Sequence, residues 1–486
     1  MPSLRTSELE SHGVEEHVAA ALATTHDFFT PDTPVMLARA PGRLDVMGGN
    51  VDYTGGAVLQ GLLQEAVWAA CQSRSDDTVH VLNPGAARHS WTTSFEVSLS
   101  TLRDEDAIQA ICNAEEGSFW GRYVLGAVYF LSSQFEGTGT ADRLSGLNLF
   151  LHSDLPPNRG VSSSAALTIA ALKAVSAAWE IPLSGVALAI AGQWVENVVA
   201  GAAGGIMDQA AIVLGRDNHL LPLLCQPCLP SPAIALPDDL CIWGIDSMAP
   251  RSTTGAAYET ARAAAFMGYR MICEKEELVV IPDTSSGIPR WMDARWNGYL
   301  SNLPHPEFRL RHEYWLPEKI TGSEFLERYR EHLDPFTAIE PSREYPVRAA
   351  VRYATEENFR VRMVSSLLEA TSWDASESCL RLIGKILCQS HYAYTECGLG
   401  SRECDDLVDR ALKAGFPGAK MTGGGAGGVV AVLGRAADRP ILLRLAEEYA
   451  LDRGATPHIF EGSSDGADAF GLRTLQFKAG KGWVCC

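Results

Sequence analysis

The stretch that most restricts the fold lies at residues 147–179. Leu147–Leu151 alternates apolar and polar side chains as a strand does. Asp154-Leu-Pro-Pro-Asn-Arg-Gly160 breaks that pattern, and an alanine-rich run with helical spacing extends from Ser163 to Trp179. A strand, a short loop and a helix in this order put the unpaired amides and positive dipole end of the helix just after the loop. The loop PPNRGVSSSAAL, residues 156–167, brings three consecutive hydroxyls to that end and can cradle a phosphate. N-capping alone, by Ser162 or Ser163, needs one hydroxyl and no glycine. Three serines after Arg159-Gly160-Val161 favour a functional loop, and the absence of any GxxxxGK[ST] string excludes Walker A chemistry.

A second helix is expected over Ser184–Ala200, ended by the turn Gly201-Ala-Ala-Gly-Gly205, with Met207-Asp208-Gln209 starting another. Leu240–Ile245 reads as a buried strand closed by Asp246-Ser247, and Asn358–Glu369 and Cys379–Tyr394 as amphipathic helices. The texture changes at Leu220, which sets a boundary near 215 and divides the chain into domains 1–215 and 216–486. Residues 275–347, rich in Pro, Arg and Glu with short helical stretches such as Gly322–Leu333, read as a surface insertion on the second domain. Gly423-Gly-Gly-Ala-Gly-Gly428 satisfies GxGxxG formally, but it leads into the strand-like Val429–Leu433 and not a helix, so the dinucleotide-binding context is missing. Its five glycines exceed what one turn requires and indicate close approach to a ligand.

A formal net charge of -19 repels phosphate backbones and anionic lipid, which argues against nucleic acid and membrane as partners. An acidic chain that binds an anion must concentrate positive potential locally, through backbone amides, helix N-termini or a metal. The N-terminal stretch lacks the apolar core of a signal peptide, and a cytoplasmic location is expected. The twelve cysteines sit in apolar surroundings, as core residues do in a reducing compartment, and the CxxC pair Cys225/Cys228 has no partners that would complete a zinc site.

Two acids flank the Gly201 turn. Glu196 and Asp208 suit a magnesium ligand and a base beside a phosphate loop, although either alone is more often a cap or a solvated charge. Arg43, in APGR, suits charge neutralisation at a transferred phosphoryl group or pairing with an acid.

Ala40-Pro-Gly-Arg43 with Asp52-Tyr53, Gly160-Val-Ser-Ser-Ser-Ala165 and Thr422-Gly-Gly-Gly-Ala-Gly427, in this order, resemble the GHMP small-molecule kinases. The resemblance implies a two-domain α+β fold with mixed and antiparallel sheets flanked by helices, and an active site in the interdomain cleft. Val195-Glu196-Asn197, Gly204-Gly-Ile-Met-Asp-Gln209, Asp246-Ser247 and Ala257-Tyr258-Glu259 look like the galactokinase branch. MGGNVDYTGG, LLCQPC, WGIDS, WNGYLSNL and HYAYTECGLGS resemble the kinase portion of the plant-type L-arabinokinases. That similarity runs from about Leu37 to Arg435, includes the insertion that ordinary galactokinases lack, and leaves out an amino-terminal glycosyltransferase-like region.

By this resemblance Asp208 is the base for an anomeric hydroxyl and Arg43 stabilises the attacking oxygen and γ-phosphoryl group. Ser164 and Glu196 hold magnesium. The loop Gly160, Val161, Ser162, Ser163, Ser164 and Ala165 covers the ATP phosphates, and Gly423, Gly424, Gly425 and Gly427 form the second glycine loop. Trp120 and Tyr123 match an aromatic pair flanking adenine, with ordinary helix packing the equal alternative. Asp52, the Gly205 amide and Tyr258 contact sugar hydroxyls. Galactokinases place Glu-His where this chain has Gly49-Asn50, and there the Glu binds the 6-hydroxyl of galactose. L-Arabinose has the same ring stereochemistry without that carbon, so these positions suit a pentose. The implied activity is ATP- and magnesium-dependent phosphorylation of L-arabinose at the anomeric hydroxyl, with D-galactose the alternative. A non-catalytic sugar sensor competes, but Arg43, Ser164, Glu196 and Asp208 are all present. A uronic acid would call for a further basic residue, for which Arg251 is the candidate.

Overall fold

The structure is a computed structural model that describes residues 9, 13–134, 144–249, 255–284, 289–370, 377–478 and 482–486. Its frame is two large sheets with helices laid against them, and two short antiparallel pairs, Ile281–Asp283 with Arg290–Met292 and Ile320–Thr321 with Glu344–Tyr345. The first begins with a long antiparallel pair, Pro34–Met47 against Ala57–Ser73. Alternate residues of these strands serve opposite faces. Ala38, Ala40, Ala69 and Cys71 join the main core under the helices, whereas Val35, Leu37, Trp68 and Ala70 meet Val18 and Leu22 of the helix Glu16–Thr24 on the other side. The pairing register shifts between Pro41 and Arg43 and again between Asp45 and Met47. Such bulges re-aim the residues they bracket, here Arg43 and Asp45.

The sheet continues from Ala57–Ser73 to Leu147–Ser153, then Thr78–Leu82 and Ser94–Ser98, with Thr78–Leu82 parallel to Leu147–Ser153. The helix Ser163–Ala178 packs across the long pair, as the strand, loop and helix reading requires. The expected helix at Ser184–Ala200 is Gly185–Trp194, which widens into a π-helical turn at Val195–Val199 carrying Glu196. Met207–Leu214 follows the glycine turn. The second sheet is antiparallel, in the order Gly418–Met421, Val429–Arg435, Leu240–Asp246, Ile459–Phe460. Val347–Glu369 and Glu377–Glu396 begin earlier in the chain than Asn358 and Cys379, where the sequence pattern started them.

Two sequence readings change. The division near 215 precedes His219–Leu224, a strand that still pairs with Ala57–Gly61 of the first sheet. Leu472–Lys478 also returns to that sheet, against Pro34–Ala38, so its edge comes from the far end of the chain. The stretch 275–347 is more than a surface appendage, because Trp296, Leu300, Leu303, Phe308, Phe325 and Tyr345 are buried in the main core. Its polar composition hid them: apolar residues spaced irregularly among Pro, Arg and Glu give no periodic signal. Cys225 and Cys228 are both buried and are not in a disulfide.

Candidate active site

Arg43 is the centre of the site. Its bulged strand turns the side chain inward, where it is buried beside the loop 156–162. Nε and Nη2 both donate to Asp208 Oδ1, at 2.7 and 2.6 Å, and Nη1 donates to the Gly160 carbonyl at 2.7 Å. The Arg43 amide donates to the Val161 carbonyl at 3.1 Å, so one residue ties the strand, the serine loop and the acid together. The Ser162 hydroxyl donates to Asp208 Oδ2. Ser162 precedes the helix Ser163–Ala178 in a left-handed conformation, φ 61°, and makes no capping bond. Capping therefore does not explain the serines, and the helix N-terminus is left without a side-chain cap.

Glu196 lies in the same cleft, buried, with Oε1 lacking a hydrogen-bond partner among the described residues. Burial, with the Asp208 charge second, pushes its carboxyl up to about 8, while Gln209, Ser164 and Arg43 act the other way. A buried carboxylate oxygen without a partner, beside a serine hydroxyl, is the oxygen-donor chemistry magnesium takes. Asp52 sits close to the turn after Glu196: a Cβ on Gly205 would fall 2.0 Å from Asp52 Oδ2, so only glycine permits this approach. Burial and the Asp208 charge lift the Asp52 carboxyl to about 6, with Arg262 acting against them. Tyr258 donates to the Ala203 carbonyl at 2.9 Å.

One cleft brings together Arg43, Asn50, Asp52, Trp120, Tyr123, Gly160, Ser162, Ser163, Ser164, Glu196, Gly205, Asp208, Tyr258 and Gly424. Val161 and Ala165 face the core instead, as apolar residues flanking the serines should. Of the aromatic pair, Trp120 is packed against Phe95 and donates to the Thr92 carbonyl at 2.9 Å, which is the core role. Trp91 and Phe119, in edge contact at 4.9 Å, line the same wall, and Phe119 is exposed. Sequence reading passed over both, although FW at 119–120 beside Trp91 was an aromatic signal. Arg251 lies outside the described residues.

Position 49 needs correction as a ligand contact. Gly49 does not line the cleft: a Cβ there would fall 2.0 Å from Tyr394 Oη and 2.6 Å from both Asp45 Oδ2 and the Gly423 carbonyl. Tyr394, in T-shaped contact with Tyr353 at 5.3 Å, donates to Gly423 O at 2.7 Å, and Tyr353 donates to Gly49 O at 2.7 Å. The space of a side chain at 49 is thus taken by Tyr394 of the helix Glu377–Glu396, while Tyr353 of the helix Val347–Glu369 holds the Gly49 carbonyl. Only Asn50 of the pair faces the cleft, where it is buried with φ 59°.

The glycine loop holds Gly423, Gly425, Ala426, Gly427 and Gly428 at positive φ, which returns the strand Gly418–Met421 to Val429–Arg435 while Gly424 reaches the cleft. Gly423, Gly425 and Gly427 shape the loop from behind. A fully buried ion pair supports it, and the sequence reading missed that pair. Lys420 Nζ and the Gly423 amide each donate to Asp45 Oδ2 at 3.2 Å, and Gln60 donates to Oδ1 at 2.7 Å. Lone charges inside the apolar strands RLDVM and GAKM were the available signal, because a buried charge requires a partner.

Comparison with known proteins follows the same outline. Residues 122–216 match the GHMP kinases N terminal domain, 368–451 the GHMP kinases C terminal domain, and 26–73 the galactokinase galactose-binding signature. The chain is 34% identical to the L-arabinokinase of Arabidopsis thaliana over 92% of its own length, and spans about half (47%) of that protein. Lactococcus lactis galactokinase complexed with galactose superimposes with a TM-score of 0.70 at 21% identity, covering 94% of this chain and 99% of that one. Methanococcus jannaschii mevalonate kinase gives 0.52 at 13% identity, covering 88% of this chain and 98% of that one. Among the described residues no helix is long and apolar enough to cross a membrane.

Proposed function

The chain belongs to the GHMP kinases, whose N- and C-terminal domains and fold it carries, and from that premise we propose that it phosphorylates a sugar at the anomeric hydroxyl, L-arabinose first. The observation that carries the reading is the Arg43–Asp208–Ser162 constellation at an uncapped helix N-terminus. The ATP phosphates lie against the serine loop and the sugar over Asp208. As the bond from the anomeric oxygen to Pγ forms and the bond from Pγ to the leaving ADP oxygen breaks, the hydroxyl proton passes to Asp208. The Arg43 cation on the same carboxylate is placed for charge neutralisation, and a loose phosphoryl-transfer transition state asks for in-line placement and charge neutralisation before proton abstraction. Glu196 and Ser164 would hold magnesium, which when bound neutralises charge on the phosphates.

L-Arabinose is favoured over D-galactose because Asn50, the residue of the Gly49-Asn50 pair that faces the cleft, offers a 6-hydroxyl no carboxylate, and position 49 has no room for one. The named relative is an L-arabinokinase, which supports the same choice. A hydroxyl buried without a partner costs about 1–3 kcal/mol, so kcat/KM is expected to favour L-arabinose by roughly tenfold or more. Initial rates of ATP consumption with magnesium, for L-arabinose, D-galactose, D-glucuronate and no sugar, test this. Dominant galactose turnover removes the L-arabinose assignment, and no turnover with any sugar favours a sensor.

Asp52 adds a pH dependence. Its carboxyl accepts sugar hydroxyls as a carboxylate, and it titrates at about 6. The sugar KM is expected to rise below that pH, by up to about tenfold per unit, and Asp52→Asn should flatten the profile. Unfolding does not mimic this effect: a carboxyl raised in the folded state binds its proton more tightly there, so this group stabilises the fold as pH falls through 6 toward the ordinary carboxylate range. A profile unchanged by Asp52→Asn would exclude the role.

A further inference from the structure

The stretch 275–347 reaches the candidate sugar site at Asp334, which meets Arg262. Asp334 is buried and takes Arg262 in a two-pronged contact, with Nε donating to Oδ2 and Nη2 to Oδ1, both at 2.8 Å. The third arm of the guanidinium, Nη1, donates at 2.6 Å to the carbonyl of Ala203. Ala203 lies in the turn 201–205, which lines the cleft between Glu196 and Asp208 and carries Gly205 to Asp52. Tyr258 shares that carbonyl, and the turn is also held at Gly204 by the Asn197 carboxamide, at 3.0 and 3.2 Å, and at Ala202, whose amide donates to the Glu196 carbonyl at 2.9 Å. Thr337 donates to Asp334 Oδ2 at 2.7 Å, and the Arg262 guanidinium lies 4.8 Å from the Tyr53 ring centre.

A turn of alanines and glycines has little of its own to fix its shape. Arg262 is a planar fork, and anchoring two of its nitrogens on one carboxylate aims the third. We propose that Asp334 is a positioning residue of the sugar site: through Arg262 it sets the Ala203 carbonyl and hence the place of Gly205 beside Asp52. The stretch 275–347 thereby serves acceptor binding, and the nucleotide end of the cleft does not depend on it. The identity of the ligand rests on the sugar-kinase reading, whereas the aiming of the turn does not.

The test compares the full chain with Asp334→Asn, Arg262→Lys and the double variant Arg262→Met/Asp334→Leu. The double variant leaves no buried lone charge and so keeps the fold testable if a single change does not. Amide hydrogen exchange over 201–205 is expected to quicken by about tenfold in the double variant, with the helix Ala256–Lys275 unchanged. The sugar KM should rise by about tenfold or more, with kcat at saturating sugar within about threefold and the KM for ATP within about twofold. Arg262→Lys should behave like the double variant, since an ammonium cannot hold two oxygens and aim a third bond. Parental exchange in the turn, or an equal rise in both KM values, overturns the proposal. A parent protein that turns over no sugar yet shows quickened exchange in the variant would instead sink the sugar-kinase reading and leave the relay standing.

Discussion

Asp208→Asn is expected to lower kcat by about a thousandfold while the sugar KM changes no more than a fewfold. Asparagine keeps the volume and an oxygen for Arg43, but it carries no charge to receive the hydroxyl proton and turns an NH2 where Ser162 now donates. The loss falls on rate because the proton moves only as the phosphoryl group transfers. Arg43→Ala should cost as much for a different reason, since it strips the cation facing Asp208 and the tie to the Gly160 carbonyl. The two residues work as a unit, so the double variant should lose little beyond either single one. Single-turnover rates with saturating ATP and sugar check this. Activity near that of the parent in either variant would remove the phosphotransfer mechanism.

The second large effect is on stability. Lys420→Met leaves Asp45 as an unpaired carboxylate in a fully buried place, which destabilises by about 3–5 kcal/mol. Adding Asp45→Asn removes the stranded charge, and the double variant should recover most of the loss. The midpoints of urea unfolding for the parent, single and double variants decide it. Equal midpoints for the single and double variants would mean the pair is not coupled.

What could be read from sequence was local. The strand, loop and helix at 147–179 fell where a change of period and a cluster of small polar residues put them. So did Asp208 at the start of its helix and the glycine loop before its strand. Pairings across the chain were hidden. Asp45 and Lys420 are 375 residues apart, and each looks like a stray charge until both strands are folded together. The packing at Gly49 was hidden for the same reason: the sequence shows a missing side chain, and only the fold shows that Tyr394 has taken its space. Asp334 gave no signal at all, since an acid in a polar stretch looks solvated unless its arginine is known.

The pairing of the first sheet with strands from the far end of the chain carries a consequence for synthesis. Met36 and Thr474 lie side by side yet 438 residues apart, so a ribosome must make nearly all of the described chain before Pro34–Ala38 can meet Leu472–Lys478. Until then one border of the sheet has bare amides and carbonyls, with Val35 and Leu37 lacking Leu475 and Trp483 to cover them. That is the condition under which nascent chains pair with one another.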